Sequence, residues 1–272
     1  MTLRQLNLFQ EKIYQPFLWE GGEKAAVLVH GFPGTPAEVR PLAAALHAQG
    51  WTVQAPLLPG FGPQMPDLFT RRKEEWITAV WAAQAALSAR HHPILLVGYS
   101  MGGAVALNVA AQRPPDGLAL LAPFWRIGGQ LSGCLWPGVH RLFTEIQPFK
   151  WVNFANPSIQ DVFANWQEIV DLDDSEVQAA LQGLRIPASF VDEMLALGRA
   201  AMAAAPAINL PTLVVQGDRD KTISPKATHE LLRALHGRSR YVEVPADHLL
   251  TRADQPAWPQ VRQAVLDFAS QF

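Results

Sequence analysis

The chain has 272 residues, and its 22 Lys and Arg nearly balance its 24 Asp and Glu, which disfavours binding to the phosphates of nucleic acid. Hydrophobic residues make up 49% of the chain and charged residues 17%, which excludes a mainly disordered protein. Its one cysteine, Cys134, excludes an intramolecular disulfide and a zinc site with several cysteine ligands.

Short apolar runs alternate with helical patterns along most of the chain, which predicts a mostly parallel central sheet with helices on both faces. The predicted strands are 25–29, 52–55, 94–97, 118–121, 212–216 and 240–244. The predicted helices of this sheet are 39–49, 74–90, 101–112, 225–235 and 258–272. The runs 25–29 and 94–97 are continuously apolar, as expected for strands buried on both faces.

The alternation breaks between residues 123 and 210, in a segment that is rich in aromatic residues. This segment also contains two helix-like pieces, 171–181 and 190–204. We predict an inserted, mostly helical cap over 123–210, on a core formed by 1–122 and 211–272. The alternative is a set of ordinary surface helices that complete the fold.

The sequence Gly98-Tyr99-Ser100-Met101-Gly102 has the pattern G-x-S-x-G and lies between a predicted strand and a predicted helix. In this context the pattern exposes a nucleophilic serine at a tight, strained turn. The glycines are expected because side chains there would collide with the flanking strand and helix. Ser100 is therefore the candidate nucleophile, and the alternative is a serine that only caps the helix.

A serine nucleophile needs a base, and the base needs a carboxylate that orients it. Of the eight histidines, only His248 lies in a loop just after the last predicted strand, at the edge of the sheet where Ser100 is expected. His248 is therefore the candidate general base, and the alternative is a solvated loop residue. The segment Gly217-Asp218-Arg219-Asp220 follows another strand at the same edge. Asp220 is the preferred acid, with Asp218 as its rival.

Ester cleavage also needs two preformed hydrogen-bond donors for the oxyanion, each of which lowers the activation barrier by roughly 3–4 kcal/mol. The backbone N–H of Met101, directly after the nucleophile, is one candidate. The loop His30-Gly31-Phe32-Pro33-Gly34 follows a strand and offers the second. Because Pro33 has no N–H, the Phe32 N–H is the natural donor.

Four motifs follow one another along the chain: HGFPG at 30–34, GYSMG at 98–102, GDRD at 217–220 and ADH at 246–248. This ordered set resembles the α/β-hydrolase superfamily, and more closely its carboxylesterase and monoacylglycerol lipase branch. The resemblance covers about 16–122 and 211–272 and implies the α/β-hydrolase fold. It also implies Asp220 as the acid, since the family uses the second Asp of a G-x-x-D element. The family usually has GHG where this chain has Gly-Phe-Gly at 60–62, which leaves the triad untouched.

These residues predict a serine hydrolase that cleaves carboxylic esters, such as short- or medium-chain acyl esters or monoacylglycerols. Phe32 and aromatic residues of the cap are expected to line an apolar substrate pocket. The cap residues expected to do so are Phe124, Trp125, Trp136, Phe143, Trp151 and Phe154. The alternative, equally weighted, is that they form the core of the cap itself.

Three other functions stay open on the sequence. The first is another hydrolase with the same triad, such as a thioesterase, lactonase, carbon–carbon bond hydrolase or aminopeptidase. The second is a ligand-binding protein that keeps the fold without turnover. The third is an interaction protein that uses the aromatic cap as its contact surface.

No cofactor or metal is expected, because the chain has no HExxH element, no Cys/His cluster and no glycine-rich nucleotide pattern. No apolar run approaches the ~20 residues that a membrane span requires. Residues 1–7 lack the apolar core of a signal peptide, so we expect a cytoplasmic protein. The expected partner is a small ester or lipid substrate, and a homodimer is left open.

Overall fold

The computed structural model describes residues 9–126, 144–154, 156 and 171–272. Its strands are β1 Phe17–Trp19, β2 Ala25–Val29, β3 Thr52–Ala55, β4 Ile94–Tyr99, β5 Gly117–Leu121, β6 Glu145–Ile146, β7 Ile186–Pro187, β8 Thr212–Gly217 and β9 Ser239–Val244. Its α-helices are α1 Arg40–His47, α2 Lys73–Ser88, α3 Met101–Gln112, α4 Ser175–Gln182, α5 Ala188–Ala204, α6 Pro225–Ala234 and α7 Trp258–Ala269. Short 3-10 helices cover Lys12–Tyr14, Pro36–Val39, Gly62–Thr70 and Ala205–Ala207.

The central sheet has seven strands in the order β1-β3-β2-β4-β5-β8-β9. All neighbouring strands are parallel except β1, which is antiparallel to β3. The predicted mostly parallel sheet is therefore confirmed. Parallel strands end at a common edge, so the loops that follow β2, β4, β8 and β9 are neighbours there.

Strand β2 shows how the sheet is buried on both faces. All five of its residues are fully buried. Ala25, Val27 and Val29 belong to the hydrophobic cluster on one face, and Ala26 and Leu28 belong to the cluster on the other. This alternation follows from the two-residue period of a strand. Full burial of each valine or leucine contributes roughly 1.5–3 kcal/mol, so this strand is a major anchor of the fold.

Several elements differ from the sequence prediction, among them the strands β1, β6 and β7. Strand β1 is not predicted, because three residues at the edge of a sheet carry too little alternation to be recognised. The 3-10 helix Gly62–Thr70 also has no counterpart among the predicted helices. Proline at the start of this helix lacks an N–H that the first turn would leave unpaired, which is why it is tolerated there.

The described part of the predicted cap contains α4, α5 and a small antiparallel pair, β6 and β7. Helix α5 buries Phe190 and Leu197 in the same hydrophobic cluster as residues of α2 and α3. Glu193 of α5 accepts a hydrogen bond from the backbone N–H of Lys73, the first residue of α2, at 3.2 Å. Helix α5 is thus packed onto the core, and the cap boundaries at 123 and 210 stay a prediction.

No helix in the described ranges is both long and apolar enough to cross a membrane.

The first turn of α3 lies directly against the end of β2. A Cβ atom added at Gly102 would lie 2.3 Å from the carbonyl oxygen of Val29 and 2.5 Å from that of His30. These are backbone atoms of a buried strand end, so they cannot move aside as a flexible side chain would. Glycine is therefore required where α3 approaches β2.

We expect Gly102→Ala to lower the free energy of unfolding by roughly 3 kcal/mol or more, at the upper end of the cost of overpacking. Thermal denaturation should show a fall in Tm of about 6 °C or more. Gly183→Ala is the matched control, because a Cβ there meets its nearest neighbour, Ala179 O, at 3.3 Å. Equal Tm values for the two variants would contradict the close approach of α3 to β2.

Candidate active site

Ser100 lies at the turn between β4 and α3, in a strained backbone conformation. Its φ is 51° and its ψ is −117°, a region that costs a non-glycine residue of order 1–3 kcal/mol. Its N–H donates to Leu121 O at 2.9 Å, and its carbonyl oxygen accepts from Phe124 N at 3.0 Å. These two bonds tie the turn to β5 and to the segment just after it, which offsets part of the strain.

His248 lies in the loop after β9 and contacts both Ser100 and Asp220. Its Nε2 is 2.9 Å from Ser100 Oγ, and its Nδ1 is 2.7 Å from Asp220 Oδ2. An ionised carboxylate can only accept a hydrogen bond, so Nδ1 carries the proton. Nε2 of the neutral ring is then the acceptor and faces the Ser100 hydroxyl. The structure therefore brings the three predicted residues together in one hydrogen-bonded chain.

The carboxylate of Asp220 is completely buried and fully hydrogen-bonded. Its Oδ1 accepts from the backbone N–H groups of Thr222 and Ile223, each at 2.8 Å. Its Oδ2 accepts from Gln216 Nε2 at 3.1 Å as well as from His248. Its side chain is 0% exposed, so these four donors replace the water that an ionised carboxylate would otherwise need.

Gln216, the fully buried penultimate residue of β8, is a supporting residue that the sequence analysis missed. Besides Asp220, its Nε2 lies 3.0 Å from Ile223 O. Its Oε1 accepts from Thr228 Oγ1 at 2.6 Å. Gln216 thus connects the carboxylate of Asp220 to α6, and a polar residue inside an apolar strand is the only feature of the sequence that points to it.

The two neighbouring aspartates do not contact the ring of His248 in this way. Asp218 forms an ion pair with Arg219 at 3.5 Å, and its side chain is 44% exposed. Asp247 accepts the N–H of Leu249 at 2.9 Å, as a residue that shapes the loop. Of the two acids considered for the GDRD segment, the geometry brings only Asp220 to His248.

The loop after β2 lies beside Ser100. A Cβ added at Gly31 would lie 3.2 Å from the Cβ of Ser100. Within this loop, the Gly31 N–H donates to Glu38 Oε2 at 2.9 Å and the Gly34 N–H donates to Gly31 O at 3.2 Å. The Phe32 N–H has no acceptor among the described residues. It is therefore the free N–H of the segment 31–34.

The Met101 N–H, at the first position of α3, likewise has no acceptor among the residues that the structure describes. The first N–H groups of a helix have no partner within the helix, and they carry its positive dipole end. The two N–H groups expected to bind the oxyanion are thus both unpaired in the described part of the chain.

His30 fixes the orientation of the Phe32 N–H. His30 Nδ1 lies 2.9 Å from Gly31 O, and Leu58 N–H donates to His30 Nε2 at 3.1 Å. Because Nε2 is an acceptor, Nδ1 carries the proton and donates to Gly31 O. In a trans peptide the N–H points opposite to the C=O, so the Phe32 N–H points away from the His30 ring. Burial lowers the pKa of His30 from 6.5 to about 4, which keeps the ring neutral.

Of the predicted pocket residues, Phe124 is hydrogen-bonded to Ser100, and Phe32 follows Gly31 in the loop beside Ser100. Phe32 is 37% exposed, and its ring centre lies 6.0 Å from that of Phe190 on α5 and 6.1 Å from that of Phe61. Phe124 is buried and bonded through its N–H to Ser100 O. The contact with Phe190 was not predicted, since the sequence places that residue only at the start of a cap helix.

The other aromatic residues of the predicted pocket have different surroundings. Trp151 is 87% exposed, with Lys150 Nζ 5.0 Å from its ring centre, so it lines no enclosed pocket. Trp125 Nε1–H donates to Ala227 O at 2.8 Å, which ties it to α6. Trp136 and Phe143 lie outside the described residues, and Phe154 is buried in the hydrophobic core.

Within the described ranges, no group of three or more His, Cys, Asp or Glu side chains could hold a metal ion.

The low pKa of His30 makes stability depend on pH. Between about pH 6.5 and pH 4 the unfolded chain binds a proton at this residue and the folded chain does not. Stability is therefore lost as the pH falls through this window. At pH 4.5 we expect His30 to cost roughly 2–3 kcal/mol of unfolding free energy relative to pH 7.

Urea denaturation at the two pH values tests this cost. His30→Asn keeps an amide donor near Gly31 O but does not titrate, so its loss of stability should be smaller than that of the wild type by that amount. His236→Asn, on the surface, serves as the control and should behave as the wild type does. Equal pH dependence in the wild type and His30→Asn would contradict the buried neutral histidine.

Comparisons with known proteins place these features in a family context. The chain is 38% identical over 100 residues to a thermostable monoacylglycerol lipase of Bacillus sp. strain H-257, covering 37% of this chain and 40% of that protein. It is 33% identical over 105 residues to a carboxylesterase of Bacillus subtilis strain 168, covering 38% of this chain and 43% of that protein. The matched stretches thus span well under half the length of these relatives.

The fold is shared with solved structures over nearly the whole chain. The crystal structure of Paleococcus ferrophilus monoacylglycerol lipase superposes with a TM-score of 0.70 at 19% identity, covering 94% of this chain and 98% of that one. This likeness confirms the α/β-hydrolase fold. Residues 22–246 match the sequence profile of the Hydrolase_4 family, described as serine aminopeptidase, S33. Because this match spans most of the chain, the protein belongs to the Hydrolase_4 family of α/β-hydrolases.

Proposed function

We propose that the protein is a serine hydrolase that cleaves carboxylic esters through a covalent acyl-enzyme. The observation that carries the proposal is the hydrogen-bonded chain from Ser100 Oγ through His248 to Asp220, with links of 2.9 and 2.7 Å. A serine hydroxyl becomes a useful nucleophile when a neutral imidazole accepts its proton and a carboxylate orients that imidazole. This arrangement serves acyl transfer in general, and the carboxylesterase and monoacylglycerol lipase relatives favour esters as the substrates.

In the first step, Ser100 Oγ attacks the carbonyl carbon of the ester while His248 Nε2 takes the hydroxyl proton. The carbonyl π electrons move onto the oxygen and form a tetrahedral oxyanion. When the oxyanion collapses, the bond to the alcohol oxygen breaks and His248 Nε2–H gives its proton to the departing alcohol. Asp220 keeps its bond to Nδ1–H and stabilises the positive imidazolium that exists between the two transfers.

The unpaired N–H groups of Phe32 and Met101 are the proposed donors to the oxyanion. The His30 bond to Gly31 O and the Glu38 bond to Gly31 N–H fix the loop that carries the Phe32 donor. Donors that are already oriented need no rearrangement when charge develops, which is why each is worth roughly 3–4 kcal/mol. The Gly31 N–H already donates to the carboxylate of Glu38, so it is not available as a donor to the oxyanion.

Water completes the cycle by the same steps in reverse. His248 takes a proton from water as its oxygen attacks the acyl carbon, and the second oxyanion occupies the same donors. Collapse then breaks the bond to Ser100 Oγ, and His248 returns the proton to Ser100. The carboxylic acid leaves, and the charges and protons balance over one turnover.

We propose short- or medium-chain acyl esters or monoacylglycerols as substrates. The names of the relatives from Bacillus support this class, since one is a monoacylglycerol lipase and the other a carboxylesterase. The partly exposed ring of Phe32, in the loop that passes Ser100, offers an apolar surface of the kind that an acyl chain requires. A homodimer and a cytoplasmic location stay predictions.

Hydrolysis of a p-nitrophenyl ester series from acetate to palmitate tests the proposal. We expect turnover by the wild type and a fall in kcat on the order of 10⁶-fold in Ser100→Ala, because the members of a triad act as a unit. Ser270→Ala, which removes an exposed hydroxyl bonded to Asp267 O, is the matched control and should retain wild-type kcat. The optimal chain length reports the depth of the acyl pocket.

Parallel assays with acyl thioesters and aminoacyl p-nitroanilides separate ester cleavage from the related reactions. A higher kcat/KM on the anilides would replace the esterase assignment with the aminopeptidase activity for which the family is named. Activity that survives in Ser100→Ala would contradict the triad. Tight ester binding without turnover in the wild type would point to a ligand-binding protein instead.

A further inference from the structure

The loop that carries His248 has no regular secondary structure, so other contacts must hold the base in place. Leu250 N–H donates to His248 O at 2.9 Å within the loop itself. Arg219 N–H donates to Ala246 O at 2.9 Å and connects the loop to the end of β8. A further contact reaches the loop from the nucleophile strand, through the side chain of Tyr99.

Tyr99 is the last residue of β4 and directly precedes Ser100. Its hydroxyl donates to the backbone oxygen of His248 at 3.0 Å. Its ring lies 5.5 Å from the imidazole of His248, tilted by 31°. The residue is 2% exposed, so this hydrogen bond is shielded from water and strengthened by the low local dielectric.

Tyr99 also touches the loop of the proposed oxyanion donor. A Cβ built on Gly31 would lie 3.3 Å from Tyr99 Cδ1. Burial and the nearby carboxylates of Glu38, Asp220 and Asp247 raise the pKa of the Tyr99 hydroxyl well above 10, whereas Arg252 lowers it. The phenol therefore stays protonated and is a permanent donor to the His248 carbonyl.

We propose that Tyr99 is a positioning residue, which holds the general base His248 at the distance from Ser100 that proton transfer requires. This inference rests on the proposed triad and names a residue of that site which the G-x-S-x-G pattern leaves unspecified. Tyr99 connects the nucleophile and the base directly, because it precedes Ser100 in the chain and its hydroxyl donates a hydrogen bond to the backbone oxygen of His248. One rigid residue thus sets the spacing of both.

The spacing matters because His248 Nε2 must face two different oxygens in one cycle. It receives the proton from Ser100 Oγ and then gives it to the departing alcohol. A displacement of about 1 Å in such a group can cost up to 10²-fold in rate. Without the hydroxyl, the one bond left to His248 O among the described residues is that from Leu250 N–H within the loop.

The test compares Tyr99→Phe with Tyr241→Phe. Both variants remove one phenolic hydroxyl, and the Tyr241 hydroxyl donates to Glu243 Oε2 at 2.6 Å on the surface of β9, with no hydrogen bond to Ser100, His248 or Asp220 among the described residues. The assays are kcat and KM on p-nitrophenyl butyrate and the rate at which a p-nitrophenyl phosphonate inactivates Ser100. Thermal denaturation and the fraction of folded protein are measured for each variant, with Ser100→Ala as the inactive reference.

We expect Tyr99→Phe to lower kcat and the rate of phosphonate inactivation each by roughly tenfold, within the range for a misplaced group. KM and the folded fraction should stay within twofold of the wild type, as should every value for Tyr241→Phe. The downfield proton resonance of the His248–Asp220 hydrogen bond should broaden in Tyr99→Phe, because the ring becomes more mobile.

Rates within twofold of the wild type in Tyr99→Phe would overturn the inference, and so would a loss confined to KM or to the folded fraction. Either result would refute the role of Tyr99 but leave the proposed serine hydrolase unaffected, as long as Ser100→Ala is inactive. Conversely, activity in Ser100→Ala would refute the proposed function itself, so the two failures are distinguishable.

Discussion

The close approach of α3 to β2 is the constraint on which the site depends. The helix begins against the carbonyl oxygens of Val29 and His30, and only a glycine at 102 leaves room for it there. This contact fixes the turn at Ser100 in a conformation that a free chain avoids. It also brings the helix N-terminus, with the unpaired Met101 N–H, beside the loop after β2. The proposed nucleophile and both proposed donors thus share one packing contact.

The second requirement is a stable negative charge inside the protein. Asp220 has a completely buried side chain, and four donors from different parts of the chain replace its lost hydration. These donors hold the carboxylate in place, and its hydrogen bond to His248 keeps the proton of the imidazole on Nδ1. The parallel sheet makes this possible, since it brings the ends of β4, β8 and β9 to one edge.

Much of this architecture could be predicted from local patterns. The six parallel strands of the central sheet are recognisable as short apolar runs, and Ser100 and His248 are recognisable by short motifs that follow a strand. The choice of Asp220 over Asp218 needed the resemblance to a family, since both follow the same strand. The role of Tyr99 could not be found, because its hydrogen bond joins residues 149 positions apart and exists only in the folded chain. The side-chain hydrogen bonds of Gln216 reach at most 12 positions along the chain, but one polar residue in an apolar strand does not show which groups it contacts.

The aromatic pocket is the part of the site that the sequence predicted least well. Composition left two predictions for the aromatic residues of the cap, a substrate pocket and the core of the cap, because composition cannot tell a core residue from an exposed one. Trp151 is 87% exposed, whereas one of the rings beside Phe32 belongs to Phe190.

The most direct test of the account is acid-quench mass spectrometry of the protein during turnover of p-nitrophenyl butyrate, followed by peptide mapping. We predict one butyryl group per chain, attached to Ser100. A butyryl group found only on another residue would contradict the acyl-enzyme mechanism on Ser100.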